Sequence, residues 1–202
     1  MGKIFCITGI DGSGKSTLTK SLIKQGWVVV GHSKETIGKP FEFAATMVKN
    51  VNQKHVVGKF SEELLLSFFL TMCLAKIECA TELVNITGKN VILDDYYYKW
   101  IAREIVRGTI SKEKFNHYFA HAPKPDYTIV LNRDPKNCYN PRKAYNRCEY
   151  LRFKRDFVAF QSDTFDVLKE LIDCAHSIVN ANEKPKKVMN NVIELINSSA
   201  KC

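Results

Sequence analysis

Short apolar runs alternate along the chain with longer segments in which apolar residues recur at a helical spacing. The apolar runs have the length of buried β-strands, and they predict strands at 3–8, 27–30, 90–94, 127–131 and 176–181. The periodic segments predict helices at 14–25, 41–56, 61–86, from the third strand to about 107, 111–120, 150–173 and 184–199. Because buried strands that alternate with helices form parallel sheets, we expect an α/β fold with three layers, in which a five-stranded parallel sheet has helices on both faces.

Two segments interrupt this alternation. Residues 31–40 contain two glycines and a proline, which indicates a loop. Residues 136–149 have no clear periodicity and are predicted to form a short, mobile lid. We expect residues 1–202 to form one domain that binds its ligands at the carboxyl ends of the strands.

The first strand leads directly into "GIDGSGKST", residues 9–17, which we call the phosphate loop. It fits G-x-x-x-x-G-K-[ST], a pattern that needs a strand before it and a helix after it, as here. Glycines allow the backbone to wrap around phosphates, and the amides at the helix start attract the anion. Lys15 is predicted to reach the β- and γ-phosphates, and the Ser16 hydroxyl to bind Mg²⁺. The alternative is a glycine-rich turn that only caps a helix. The predicted nucleotide-binding residues are Gly9, Asp11, Gly12, Ser13, Gly14, Lys15, Ser16 and Thr17.

A pair of acidic residues, Asp94 and Asp95, ends the third predicted strand. An acidic side chain beside a phosphate loop can hold Mg²⁺ through water or orient the acceptor, and we assign this role to Asp94. The alternative is an ordinary turn at the end of a strand. The sequence alone assigns no role to Asp95.

The predicted lid carries arginines within a strongly basic segment, residues 133–155. Arg142 and Arg147 are the candidates for closing over the γ-phosphate, because a planar guanidinium binds phosphate oxygens in pairs. The alternative for either residue is an exposed position with no ligand. On the acceptor side, a nucleobase could stack on an aromatic ring. Phe69 is one candidate, although core packing is the alternative for a residue in so apolar a helix.

Composition places the chain among soluble globular proteins, with 45% apolar and 25% charged residues. Seven scattered cysteines without a C-x-x-C pair suggest reduced thiols in a cytoplasmic compartment rather than disulfides or a zinc site. The first apolar run is the strand before the phosphate loop, so no signal peptide is expected. The most apolar segment, 64–75, has twelve residues and is expected to be a buried helix rather than a membrane span.

The order and spacing of these motifs resemble the thymidylate kinase family, which belongs to the P-loop nucleoside-monophosphate kinases. "GIDGSGKST" is similar to that family's phosphate loop, including the acid, here Asp11, that usually faces the acceptor nucleotide. "GKNVILDDY" stands where the family has "G…DRY", and "PKPDYTIVLNRDP" resembles "PDLTIYLDVDP". "NRCE" is similar to "DRFE" near the lid, and "IVNAN" resembles the strand near the adenine. The resemblance implies ATP and Mg²⁺, a catalytic set of Lys15, Asp11, Asp94, Arg142 and Arg147, and base stacking on Tyr96.

The acceptor side departs from the family pattern at three places. The arginine of "DRY" is Asp95 here, which reverses the charge near the acceptor phosphate. The family's "TREPGG" appears as "SKETIG", which keeps Glu35 and places Lys34 at the arginine position. Leu74 stands where the family has an acceptor-binding arginine, and Lys76 lies two residues further on. The acceptor is therefore either dTMP, held by Lys34 and Lys76, or a different molecule.

Three hypotheses follow. The first is ATP-dependent phosphorylation of a (deoxy)nucleoside monophosphate, with dTMP as the first candidate. The second keeps the fold but transfers the phosphoryl group to a hydroxyl of a nucleoside or another small metabolite. The third is a nucleic-acid-binding P-loop protein, suggested by the net charge of +9, although the basic cluster lies in the predicted lid rather than on a separate face. Relatives of this kind are commonly homodimers through apolar helices such as 61–86, so we expect a dimer and no membrane partner.

Overall fold

The computed structural model describes residues 2–31, 61–140 and 156–200. The predicted helix at 41–56, most of the loop at 31–40 and the lid residues 141–149 lie outside these ranges. The strands are β1 Ile4–Gly9, β2 Val28–Val30, β3 Val91–Asp94, β4 Tyr127–Asn132 and β5 His176–Asn180. The helices, numbered in chain order, are α1 Lys15–Lys24, α2 Glu62–Thr87, α3 Tyr98–Val106, α4 Lys112–Phe119, α5 Pro135–Cys138, α6 Phe157–Leu171 and α7 Pro185–Ser199.

The five strands form one parallel sheet in the order β2-β3-β1-β4-β5. This confirms the predicted α/β class and the five-stranded parallel sheet. β1 is the central strand, and its side chains alternate between two hydrophobic clusters, as the twofold period of a strand requires. Cys6 contributes to the cluster with α2, α3, α4 and α6, whereas Phe5 and Ile7 contribute to the cluster with α1 and α7. The sheet thus separates two helix layers.

The termini of α2 follow from its sequence. The Ser61 side chain accepts a hydrogen bond from the Leu64 amide at the start of the helix, and Glu62 and Glu63 occupy the first turn. Gly88 ends the helix with φ 65°, and its amide donates to the Val84 carbonyl. The predicted start and stop signals at Ser61 and Gly88 are therefore both present in the structure.

Residues 64–75, which are too short by themselves to cross a membrane, are part of the longer helix α2. The helix has 26 residues, and within the described ranges it is the one helix long and apolar enough, by length and composition, to span a bilayer. That test also selects core helices of soluble proteins, so it is weak evidence for a span. One side of α2 packs on the sheet through Leu66, Cys73, Ile77 and Ala80.

The predicted lid also needs a correction at its start. Residues Pro135–Cys138 form the short helix α5. Asp134 precedes this helix and accepts a hydrogen bond from the Lys136 amide, and Pro135 occupies its first turn, where the missing amide proton is not needed. The sequence pattern did not reveal a helix this short.

Candidate active site

The phosphate loop connects the end of β1 to the start of α1, at the carboxyl edge of the sheet. Gly9, Gly12 and Gly14 all have positive φ, of 154°, 86° and 93°, as the glycine spacing predicts. At Gly12 a second constraint applies, because an added Cβ would lie 2.8 Å from the Cβ of Cys138 on α5. Residues that carry a Cβ adopt such a backbone conformation at a cost in free energy, and at Gly12 there is also no room for a Cβ atom. The loop is therefore held against α5.

Lys15 begins α1 and extends toward the tip of β3. Its Nζ lies 3.3 Å from Oδ1 of Asp94 and 3.6 Å from Oδ2 of Asp95. Burial would lower the pKa of Lys15, but the carboxylates of Asp95 and Asp94 raise it by more, so the net shift is upward. Lys15 is charged over the whole physiological pH range and is ready to bind a phosphate chain.

Asp11 is held by side chains from two helices that are distant from it in sequence. Lys99 Nζ lies 3.2 Å from its Oδ1, and Arg103 Nη1 lies 3.0 Å from its Oδ2, both from α3. The Asp11 amide donates to Oε1 of Gln161 on α6, at 2.9 Å, and Nε2 of Gln161 is 3.4 Å from Oδ2 of Asp11. Burial would raise the pKa of Asp11, but Lys99 and Arg103 lower it by more, so the carboxylate stays ionised.

Asp95 has the most constrained position in the site. It is 2% exposed and has φ 65°, a conformation that non-glycine residues rarely adopt. Its Oδ1 accepts hydrogen bonds from Thr8 Oγ1 and the Tyr96 amide, at 2.9 and 3.1 Å. Its Oδ2 lies 3.1 Å from Lys99 Nζ. Burial would raise the pKa of Asp95, and the cations of Lys99, Lys15 and Lys76 lower it by more. A buried carboxylate at this place organises the cations around it.

These contacts define an ion-pair cluster at the carboxyl edge of the sheet. Its members are Asp11, Lys15, Asp94, Asp95, Lys99 and Arg103. The cluster joins the phosphate loop to the end of β3 and to the first two turns of α3. Its three cations and three carboxylates balance one another, which lowers the free-energy cost of burying these charges.

Lys76 does not take the acceptor-side role expected for it. It is 0% exposed, and its Nζ donates to the backbone carbonyls of Asp94 and Asp95 at 3.0 and 2.8 Å. The ammonium also lies 5.1 Å from the centre of the Trp100 ring. Burial lowers the pKa of Lys76. Lys76 thus stabilises the strained turn after β3 through two backbone carbonyls. The expectation that it binds the acceptor phosphate is therefore corrected.

Tyr96 likewise lies in the core rather than on the acceptor surface. Its side chain is fully buried, and its hydroxyl donates to the Pro123 carbonyl at 2.7 Å. Its ring packs against Tyr97 and Tyr98, with centroids 4.7 and 6.0 Å away. No face of the ring is open to a base, so the predicted stacking on Tyr96 is corrected as well.

Phe69 is half-buried on α2 and packs beside Trp100, with ring centroids 6.0 Å apart. Part of its surface remains accessible, so its role in binding a base stays a prediction. Four other predicted site residues lie outside the described ranges, and their roles also stay predictions. They are Lys34, Glu35, Arg142 and Arg147.

Sequence analysis missed Lys99, Arg103 and Gln161. A signal for the first two was present, because α3 starts four residues after the acidic end of β3 and residues i and i+4 share one helix face. Gln161 had no such signal, since it is 150 residues from its partner Asp11.

The site fits Mg²⁺ of the kind that nucleotide enzymes use. Such an ion takes one or two protein oxygens and fills its other positions with water and phosphate oxygens. The Ser16 hydroxyl is exposed at the start of α1, and the Asp94 carboxylate lies beside Lys15 at the same edge of the sheet. Within the described ranges no group of three or more His, Cys, Asp or Glu side chains is arranged to hold a metal ion by itself. The donor set thus suits a metal that arrives with a nucleotide.

A parallel α/β sheet with a phosphate loop after its central strand and a partly buried lysine at that loop defines a P-loop nucleotide-binding protein. Comparison with known proteins narrows the class. The thymidylate kinase family model matches residues 7–192, so the chain belongs to the thymidylate kinase family. The chain is thus a phosphotransferase of that family and resembles nucleoside-monophosphate kinases.

Two archaeal relatives align over nearly their full lengths. A probable thymidylate kinase from Archaeoglobus fulgidus is 25% identical over 207 residues, which covers 97% of this chain and 99% of the relative. A probable thymidylate kinase from Pyrobaculum aerophilum is 27% identical over 193 residues, which covers 94% of each chain. This chain therefore spans nearly the whole length of these two relatives.

Two solved structures share the fold. Thymidylate kinase from Candida albicans superposes with a TM-score of 0.71 at 18% identity, over 98% of this chain and 92% of that one. Deoxyadenosine kinase from M. mycoides superposes with a TM-score of 0.62 at 17% identity, over 96% of this chain and 99% of that one. One is named for a nucleotide acceptor and the other for a nucleoside acceptor, so the fold leaves the acceptor class open.

Proposed function

We propose that this protein transfers the γ-phosphoryl group of ATP to a (deoxy)nucleoside monophosphate, with dTMP converted to dTDP as the principal reaction. The observation that carries the proposal is the continuity of the ion-pair cluster. Asp95 lies within 3.6 Å of Lys15, on the donor side, and within 3.1 Å of Lys99, on the side that Asp11 faces. Donor and acceptor phosphates must lie next to each other for transfer, and one buried carboxylate here places cations for both.

The proposed donor site is the phosphate loop. Backbone amides of Gly12–Ser16 surround the phosphates, and Lys15 leaves Asp94 to stabilise the transferring phosphoryl group. Mg²⁺, held by Ser16 and by Asp94 directly or through water, supplies positive charge to the donor phosphates when it is bound. Arg142 and Arg147 are proposed to close over the γ-phosphate and exclude water, and Lys34, Glu35 and Phe69 to contact the acceptor.

The test of this function is an acceptor panel. Purified protein is incubated with ATP and Mg²⁺ and with each nucleoside monophosphate and its matching nucleoside, and the products are separated by chromatography. We expect a diphosphate from dTMP, and ADP formed in equal amount. Intact ATP binding without turnover of any monophosphate would contradict the proposal.

A second candidate function is phosphorylation of a nucleoside hydroxyl, favoured by one observation. Asp95 replaces the arginine of the family's "DRY" pattern, and Lys76 is committed to backbone carbonyls, so two expected phosphate-binding cations are absent from the acceptor side. An acceptor without a phosphate needs neither. The same panel separates the two functions, because this candidate predicts a monophosphate from the nucleoside and no product from dTMP.

We also propose a cytoplasmic homodimer that forms through α2. Leu64 and Ile86 of this helix are 53% and 72% exposed, so α2 presents a large apolar side chain to solvent near each of its ends. The five cysteines within the described ranges are free thiols, as a reducing compartment favours. Analytical ultracentrifugation checks the dimer, and a single species at the monomer mass of 23.1 kDa would contradict it.

A further inference from the structure

We propose that Lys99 binds the phosphate of the acceptor and thereby replaces the arginine that Asp95 displaced. This inference rests on the proposed function and makes it more specific, because it commits the acceptor to a molecule that carries a phosphate. Asp95 and Asp11 are positioning residues for Lys99.

The first argument is the place of Lys99 relative to the donor lysine. Lys15 and Lys99 share one oxygen atom, Oδ2 of Asp95, at 3.6 and 3.1 Å. Their two ammonium groups are therefore no further apart than the sum of those distances. Phosphoryl transfer brings the acceptor phosphate next to the terminal phosphate of the donor, so two cations at this separation match two adjacent phosphate groups.

The second argument is the donor capacity of Lys99. A lysine ammonium has three N–H donors and no acceptor. Within the described part of the chain, Lys99 contacts two carboxylates, Oδ1 of Asp11 at 3.2 Å and Oδ2 of Asp95 at 3.1 Å. One donor remains for a ligand. The side chain is 10% exposed, so its partners hold it in place while a small part of it stays accessible.

The third argument is the location of Lys99 on α3. It lies in the first turn of that helix, which begins four residues after the end of β3. The first turn of a helix carries unpaired amide groups and a positive dipole end, and both favour an anion. Lys76, the other acceptor-side lysine within the described ranges, is fully buried and bound to backbone carbonyls.

The fourth argument concerns charge. Replacing an arginine by Asp95 changes the local charge by two units, and this alone would repel a phosphate. Lys99 and Arg103 supply two positive charges beside this carboxylate, and they come from the next turns of the same chain segment. The acceptor side is therefore rearranged rather than stripped of its cations.

The experiment compares initial rates of the full chain with three variants, K99M, K99R and R107M. The monophosphate acceptor, dTMP or whichever the acceptor panel identifies, is varied at saturating ATP, and ATP is varied at saturating acceptor. Lys99→Met keeps the length of the side chain and removes its charge. Arg107→Met is the matched control, because Arg107 directly follows α3 and pairs with Glu104 rather than with the ion-pair cluster.

We expect K99M to raise the KM for the monophosphate about 10- to 100-fold, the range for loss of one charge-assisted hydrogen bond. The KM for ATP should change by less than about threefold, since donor phosphates are held by the loop backbone and Lys15. K99R should restore part of the acceptor affinity. R107M should leave both KM values near those of the original protein.

Removing Lys99 leaves Asp95 buried with one fewer cation, so K99M can fail to fold. The double variant K99M/D95N removes the Lys99 ammonium together with the Asp95 charge. It therefore tests the same contact with the acceptor phosphate without leaving that carboxylate buried. A high KM for the monophosphate in the double variant supports a direct contact between Lys99 and phosphate. A KM equal to that of the original protein overturns it.

The outcomes also separate this inference from the proposed function. Turnover of dTMP by the original protein, together with an unchanged KM in K99M, overturns the role of Lys99 and leaves the function standing. An equal rise of both KM values also overturns it, because that pattern reports general damage. Turnover of thymidine without turnover of any monophosphate overturns the function and the inference together.

Discussion

The proposed donor and acceptor sides of this site are built by different means. The donor side is one continuous segment, the phosphate loop, and its shape is set by backbone conformations at Gly9, Gly12 and Gly14. The acceptor side is assembled from side chains on β1, β3, α3 and α6, with Asp95 at its centre. The first kind of site depends on residue spacing, and the second depends on which side chains the fold brings together. Substrate preference can therefore change on the acceptor side while the donor side stays as it is.

The largest expected effect is on the donor side. Lys15→Met should reduce kcat by about 10³-fold, because the ammonium stabilises charge on the transferring phosphoryl group. Steady-state rates at saturating ATP and acceptor measure this. Lys20→Met is the control, since Lys20 lies on the same helix α1 with an exposed side chain. A kcat for K15M within tenfold of the original value would contradict the assigned role.

The next effect concerns the centre of the acceptor side. Asp95→Asn should lower the free energy of unfolding by about 3 kcal/mol at pH 7, because it leaves two lysines without their buried carboxylate. The folded-state pKa of Asp95 is depressed, so its stabilising contribution is present above the unfolded pKa of about 3.9 and is lost as pH falls through the folded value. The difference in unfolding free energy between the original protein and D95N should therefore shrink below about pH 4.

Urea unfolding at a series of pH values measures that difference. The control is Asp163→Asn, an exposed position on α6, which should stay within about 0.5 kcal/mol of the original protein throughout. A difference for D95N that stays constant from pH 7 to pH 3 would show that the Asp95 charge does not stabilise the fold.

A smaller effect on stability is expected in the phosphate loop, where the cost of the backbone conformation can be measured separately from the cost of a steric contact. Gly12 and Gly108 have similar positive φ, 86° and 72°, but an added Cβ at Gly108 meets nothing within 4 Å. Gly108→Ala should therefore cost about 1–2 kcal/mol, the price of the left-handed conformation alone. Gly12→Ala should cost more and weaken ATP binding, because its Cβ would lie 2.8 Å from that of Cys138. Urea unfolding and calorimetric ATP titration measure the two effects, and equal losses would contradict the steric argument.

The smallest effect tests the corrected role of Tyr96. Tyr96→Phe removes the hydroxyl that donates to the Pro123 carbonyl and should lower the unfolding free energy by about 1 kcal/mol. The KM for the acceptor should not change, because the ring is buried. Tyr118→Phe is the control, a half-buried tyrosine for which the described residues provide no hydroxyl partner. A raised acceptor KM in Y96F would restore the stacking role.

The contrast between the contiguous phosphate loop and the assembled acceptor side also explains which features could be predicted from sequence. The strands were predictable because buried strands in a parallel sheet are continuous apolar runs, and α2 because Ser61 and Gly88 mark its ends. The phosphate loop was predictable because its nine residues are contiguous. Tyr96 was misassigned because a motif position does not say which way a side chain points.

The acceptor side was less predictable because its contacts are long-range. Asp11 meets Lys99 and Arg103 across 88 and 92 residues, and Gln161 across 150. Periodicity places each residue on a helix face but does not say which helix face meets which loop. Lys76 shows the same limit, since its charge suggested a ligand while the fold uses it to bind two carbonyl groups.

The most direct test of the central claim is the ratio of kcat/KM for dTMP to kcat/KM for thymidine, measured with the original protein at one ATP concentration. The account predicts a ratio above about 10³, because the remaining N–H donor of Lys99 binds a phosphate that thymidine lacks. A ratio below one, with thymidine phosphorylated on its hydroxyl, would contradict the claim that the rearranged acceptor side still binds a monophosphate.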